Sequence, residues 1–155
     1  MRRNVGGELH ALSPGMDTIG NQINALTDRV IGSAIEVHRH LGPGLLEGIY
    51  RECLMIELAG ENLRFECERF VPIDYKGHRV RGGLKLDLLV EGCLVVELKA
   101  IEALHPVHSA QVLTYLRLTG LPAGLLMNFN VTALRAGLRR LDHPDRYVKK
   151  QEDRS

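Results

Sequence analysis

Cysteine is scarce: Cys53, Cys67 and Cys93 are the only three, and no two lie close together. An odd, scattered set supports neither a disulfide framework nor a cysteine-rich zinc site. It suits a reducing cytoplasm, with each thiol expected as a small core residue. Charge of one sign is scarce too, the formal net charge being +1. Nucleic-acid binders usually carry a large basic excess, so any phosphate contact here must come from a local patch. No apolar run is long enough to span a bilayer, and membrane partners are not expected. Residues 1–15 hold two arginines with no apolar stretch behind them, which makes a poor signal peptide. The seven histidines show no HExxH or other paired-ligand spacing, which disfavours zinc. There is no Walker loop and no GxGxxG, against nucleotide-fuelled work, and no GxSxG nucleophile elbow.

What is present fits one globular domain. The chain has 155 residues, 45% hydrophobic and 25% charged, enough apolar material for a single core. Residues 1–22 hold several glycines and no clear period, so they are expected as a flexible tail; Met16 offers an alternative start. From Asn24 the helical period emerges, with Leu26, Val30, Ala34, Val37 and Leu41 on one stripe and Asp28, Arg29, Ser33 and Arg39 off it. Gly42, Pro43 and Gly44 stop that helix. A second helix is expected over residues 45–59, burying Leu46, Ile49, Cys53 and Ile56. The period then shortens to two. Residues 63–75, interrupted near Pro72, residues 84–89 and residues 94–100 read as strands. Pro106 suits the first turn of a helix reaching about Thr119, and residues 124–129 read as a buried strand. Residues 132–141 are ambiguous, and residues 143–155 are expected as a charged tail. The domain, residues 23–142, is therefore expected as an α/β or α+β mixed sheet with flanking helices.

The chemistry gathers on two adjacent strands. Alternation places Lys85, Asp87 and Leu89 on one face, against Leu84, Leu86 and Leu88 on the other. It also places Val95, Glu97 and Lys99 together. A two-residue loop of Glu91 and Gly92 would turn Asp87 away from Glu97. A three-residue loop of Val90, Glu91 and Gly92 would pair Leu89 with Cys93 and set Asp87 diagonal to Glu97 on one side of the sheet; the latter is expected. Two carboxylates can hold Mg²⁺ or Mn²⁺, which polarises a phosphoryl oxygen and acidifies a bound water, while a neighbouring lysine stabilises the transition state. Alternating charges more often form a solvated face. Here, however, the flanks Leu86, Leu88, Val95, Val96 and Leu98 are those of interior strands, where charge is costly unless paired or metal-bound.

The stretch Gly44, Leu45, Leu46, Glu47, Gly48, Ile49, Tyr50 resembles the motif that names the GxxExxY family. So do residues 34–38 and 41–44 before it, Asp87 to Val90, Val96 to Ala100, and His108, Ser109, Ala110, Gln111 with Tyr115 and Leu116. The resemblance spans residues 26–141. That family is grouped with the PD-(D/E)XK nuclease-like proteins, which implies a restriction-endonuclease-like core. It also implies Asp87 and Glu97 as metal ligands with Lys99 beside them, although Leu86 stands where the superfamily's name has Pro. Glu47 resembles the extra helical acid of such sites, against a surface Glu paired with Arg51 four residues on. Gln111 stands for the polar residue that the later helix contributes; His108 is more simply a helix-surface or hydrogen-bonded histidine. Arg64, Arg69, Lys76, Arg79, Arg81 and Lys85 either track a nucleic-acid backbone or form a solvated face. The function implied is a Mg²⁺- or Mn²⁺-dependent nuclease on DNA ahead of RNA, with a homodimer as one way to grip a duplex. The alternative is a non-catalytic module binding nucleic acid or protein.

Overall fold

The computed structural model describes residues 14–146. Helix α1 (Pro14–Leu41) starts ahead of Asn24, so residues 14–22 are helical where a tail was expected; residues 1–13 lie outside the described residues. Its inner stripe is as the period predicts: Val30 and Ala34 are fully buried, with Ile23, Leu26 and Val37 nearly so. Two departures come from the packing. Leu41 is exposed, and Ser33 is buried although expected outside. The chain leaves α1 through Gly42 (φ 64°) and Gly44 (φ 101°), left-handed conformations that glycine adopts without strain.

Helix α2 (Glu47–Gly60) overturns the expected face. It buries Tyr50, Leu54 and Leu58, whereas Leu46 and Ile56 are 77% and 70% exposed. The helix is apolar on two stripes, so period alone cannot choose between them. Tyr50 decides by its contacts. Its ring stacks on Phe129 with centroids 4.6 Å apart, and its hydroxyl donates to the Gly42 carbonyl at 2.6 Å and accepts from the Leu45 N–H at 3.1 Å. One side chain thereby locks the α1–α2 turn to the core.

Five strands follow: β1 (Phe65–Tyr75), β2 (His78–Val90), β3 (Leu94–Lys99), β4 (Ala123–Asn128) and β5 (Leu138–Asp142), with α3 (Pro106–Thr119) between β3 and β4. They form one sheet in the order β1-β2-β3-β4-β5, with β3 and β4 parallel and the other pairs antiparallel. This mixed five-stranded sheet with flanking helices is the α+β architecture expected from the sequence. Pro106 opens α3 as expected, while the ambiguous stretch before Asp142 resolves into a 3₁₀ turn (Leu134–Gly137) and β5. Past β5, Pro144–Arg146 forms another 3₁₀ turn, and the rest of the expected charged tail lies outside the described residues.

Helices α1 and α2 pack on one side of the sheet against Leu88, Val90, Leu94, Val96, Leu98, Leu125 and Met127. Helix α3 covers the other side, where Tyr115 and Leu116 meet Leu86 and Val95. Gly124 lets α3 approach, since a Cβ there would stand 2.8 Å from Val112 Cγ1. Strict alternation would keep Leu84, Leu86 and Leu88 together, but Leu88 joins the α1–α2 core and Leu84 and Leu86 the α3 side. The change falls opposite Glu68, which takes a left-handed backbone (φ 53°) between the Cys67–Leu88 and Arg69–Leu86 pairs. Cysteine also departs from expectation. Cys67, on edge strand β1, is exposed, and Cys53 and Cys93 are only partly buried.

Candidate active site

The β2–β3 turn sets the site's register. Val90 pairs with Leu94, Leu89 with Val95 and Leu88 with Val96. The loop is three residues long, as expected, but it comprises Glu91, Gly92 and Cys93. The expected Leu89–Cys93 pair does not form. Glu91 and Gly92 both take positive φ (51° and 65°), which moves the turn one residue along. Continued, this register sets Asp87 directly opposite Glu97 instead of diagonal to it, and still on the same side.

Regular pairing ends at Leu88 and Val96. Beyond it the Asp87 carboxylate takes the place of a backbone partner, with Oδ2 accepting the Leu98 N–H at 2.9 Å. The strands part here like a fork, and the polar groups collect in it. Lys99 Nζ stands 3.7 Å from Glu97 Oε1. Arg51, from α2, stands 3.9 Å from Asp87 Oδ1 and 3.7 Å from Glu68 Oε1. Lys85 Nζ lies 3.4 Å from the same Glu68 oxygen. The Glu47–Arg51 pair that would make Glu47 a plain surface acid gives way to these contacts.

Electrostatically the fork is crowded with like charge. Burial is the first cause that pushes the Glu97 carboxyl up to about 7. The Asp87 charge adds to it, Lys99 opposes it, and the Glu47 charge and a hydrogen bond with Asp87 raise it further. Glu97 is 6% exposed, and its Oε2 is buried with no hydrogen-bond partner. Glu47, in the first turn of α2, is half-buried and is also raised, by burial and then by Asp87, against Lys99 and Arg51. From α3 the buried Tyr115 hydroxyl is pushed up by burial and by the charges of Glu97 and Asp87. Asp87, Glu97, Lys99 and Glu47 therefore share one electrostatic neighbourhood.

Gln111 is placed differently. It is exposed on α3, and Tyr115, one turn on, is the α3 residue that senses the carboxylates. His108 serves the helix itself: its Nδ1 accepts the His105 N–H at 2.9 Å. Sequence reasoning did not single out Asn128. This buried residue pairs with Lys99 across β3–β4 and grips the chain beyond it, its Oδ1 accepting the Ile101 N–H and its Nδ2 donating to the Ile101 carbonyl. The polar Asn128 at the end of an apolar strand was the available signal.

Among the described residues no three His, Cys, Asp or Glu side chains form a closed metal-ligand cluster. The donor set nevertheless suits a hard divalent ion that keeps several waters. A carboxyl pushed up by burial and by two neighbouring carboxylates, with an unpartnered buried oxygen, is in the electrostatic state that such an ion relieves.

The family model described as the PD-(D/E)XK nuclease superfamily matches residues 24–141. The chain belongs to that superfamily. No curated protein and no solved structure matches it significantly. Membership of the PD-(D/E)XK nuclease superfamily suggests a nuclease-like function and a nucleic-acid substrate, and such nucleases usually use divalent metals. No described helix is long and apolar enough to cross a membrane.

Proposed function

We propose that this PD-(D/E)XK protein is a metal-dependent nuclease of the GxxExxY kind, hydrolysing phosphodiester bonds in nucleic acid, DNA ahead of RNA. The observation that carries this reading is the buried, unpartnered Oε2 of Glu97 beside Asp87, Glu47 and Lys99. Buried polar atoms in folded proteins nearly always have partners, and exceptions concentrate where function supplies the missing one. Asp87 and Glu97, joined by Glu47, would hold Mg²⁺ or Mn²⁺. When bound, the ion supplies Lewis-acid polarisation of the phosphate and an acidified water.

The chain's own residues do the rest. The Lys99 ammonium, held against Glu97, faces the negative charge that builds on the phosphate and stabilises it electrostatically. Arg51 balances Asp87 and Glu68, which keeps a carboxylate available at the fork without consuming Lys99. Asn128 fixes the backbone beyond Lys99 and so positions its side chain. Gln111, exposed on α3, is assigned a supporting contact to substrate. The scattered thiols are the reason for placing the protein in a reducing cytoplasm, and a second copy would extend its grip on a duplex.

The deciding experiment is cleavage of labelled single- and double-stranded DNA and RNA with Mg²⁺ or Mn²⁺, alongside EDTA and the Lys99→Ala protein. Metal-dependent cleavage lost in both controls is expected. No cleavage, together with no calorimetric Mn²⁺ binding that Asp87→Asn removes, would favour the non-catalytic binding module.

A further inference from the structure

The β1–β2 pair extends far beyond the sheet. The β2–β3 ladder ends at Leu88, yet β2 runs back to His78 and β1 forward to Tyr75. Past the fork the two strands pair only with each other, ending in a turn at Lys76 and Gly77, both at positive φ. A lone two-stranded ribbon is marginal in water, and this one is anchored at its base, where Val71, Leu84 and Leu86 pack beneath Tyr115 and Leu116. Further out it is braced by Phe70, whose ring lies across Gly83 so closely that a Cβ there would stand 2.6 Å from Phe70 Cζ.

Beyond this bracing the ribbon is open and cationic. Residues 69–85 carry Arg69, Lys76, Arg79, Arg81 and Lys85 against the single acid Asp74. Asp74 is taken by Arg79 at 2.6 Å, and Lys85 and Arg69 pair with Glu68 and Glu66 near the base. Lys76 and Arg81 have no carboxylate partner among the described residues, Lys76 lying instead 5.4 Å over the Tyr75 ring. The charge is local: Glu66, Glu68 and Asp74 offset three of the five bases, and the excess is carried by Lys76 and Arg81. The arm is also continuous with the fork, because Lys85 and Arg51 meet on Glu68 and Arg51 reaches Asp87. Arg64 is not part of it: it pairs with Glu91 at the opposite, β2–β3-turn end.

We propose that this ribbon is a duplex-gripping arm that lies along the major groove of B-form DNA, with Lys76 and Arg81 on the phosphates, and so brings a strand to the Asp87–Glu97 fork. The proposal rests on the nuclease reading for its direction and names the substrate as duplex DNA. The groove of B-DNA, about 12 Å wide, admits a two-stranded ribbon, whereas the deep, narrow major groove of A-form RNA does not. The free strands past Leu84 are about 20 Å long at ~3.3 Å per residue, enough to follow a little over half of a helical turn.

The test is fluorescence anisotropy of the full chain on labelled duplex DNA, duplex RNA and single-stranded DNA, in EDTA so that cleavage plays no part, across a salt series. The Lys76→Ala/Arg81→Ala protein should bind duplex DNA about 10- to 100-fold more weakly, with a salt slope shallower by about two units. Arg81→Lys should retain most of the affinity. The same charge loss at the far end, Arg29→Ala/Arg64→Ala, should leave binding close to wild type. Equal losses in the two double variants, no loss in the ribbon variant, or duplex RNA binding as tightly as duplex DNA would overturn the proposal. Ribbon-dependent binding without metal-dependent cleavage would uphold the arm and sink the nuclease reading. Cleavage indifferent to the ribbon would do the reverse.

Discussion

On the α1–α2 side of β3, Leu94, Val96 and Leu98 share a core with Tyr50, Leu54 and Phe129. The polar groups caught in that core are provided for. The Tyr50 hydroxyl has both a donor and an acceptor, and buried His38 bonds the Val131 carbonyl at 2.8 Å. Thr27 Oγ1 is the exception. On the other side of the same strand, Glu97 is as deeply buried, yet its Oε2 is unpartnered and its nearest acidic neighbours repel it. Six residues of one strand thus present a side built for stability and a side that works against it. A fold tolerates such stored repulsion where a ligand is to relieve it, and the surrounding core supplies the stability that the site gives up.

This contrast can be broken from either side. The largest effect is expected from Lys99→Ala, which should lower the cleavage rate about 10³-fold, equivalent to ~4 kcal/mol, while leaving the circular dichroism spectrum and melting temperature near wild type. Leu98→Ala, one residue away but facing the core, should do the opposite: a loss of about 2–5 kcal/mol in denaturant unfolding, with the rate per folded molecule little changed.

Glu97 sharpens the comparison through pH. Folding raises its pKa from 4.5 to about 7, so the folded chain holds a proton that the unfolded chain releases. The metal-free protein should therefore keep its full stability below about pH 4.5 and lose on the order of 3 kcal/mol as pH rises through 7. Glu97→Gln should flatten that profile and melt higher than wild type at pH 8 in EDTA, while losing Mn²⁺ affinity. A Gln variant that melts lower at pH 8 would show that the carboxylate is not under strain. The smallest effect is expected from Gln111→Ala, about tenfold or less on cleavage and nothing on stability; a loss comparable to that of Lys99→Ala would place Gln111 among the residues that touch the reacting phosphate.

Much of the site was legible in the chain because strand alternation is a local rule. Where a strand runs regularly, as at Glu97 and Lys99, residues two apart share a face, and apolar flanks mark a strand as interior; the rule fails between Leu86 and Leu88, which fall on opposite sides. The length of the β2–β3 loop could be read, but its position could not, because the choice lay between Val90 and Cys93 as its third residue and the ladder itself settles which of them pairs. Helix α2 shows the same limit. Its two apolar stripes are equivalent in sequence, and Tyr50's side is favoured by the Phe129 ring, distant along the chain, together with the Gly42 carbonyl in the preceding turn.

By itself, then, the sequence determined the element order as far as β4, the mixed α+β class and the pairing of a carboxylate with a lysine on one strand, since these follow from periods of two and 3.6 and from glycine and proline stops. The tertiary structure alone decided that Asp87 stands opposite Glu97, that Arg51 turns from Glu47 to Asp87 and Glu68, that Asn128 holds the chain beyond Lys99, and that the basic residues leave the sheet as a free ribbon. Each of these depends on which distant backbone groups come within about 3–4 Å of one another, and no local pattern in a chain encodes that distance.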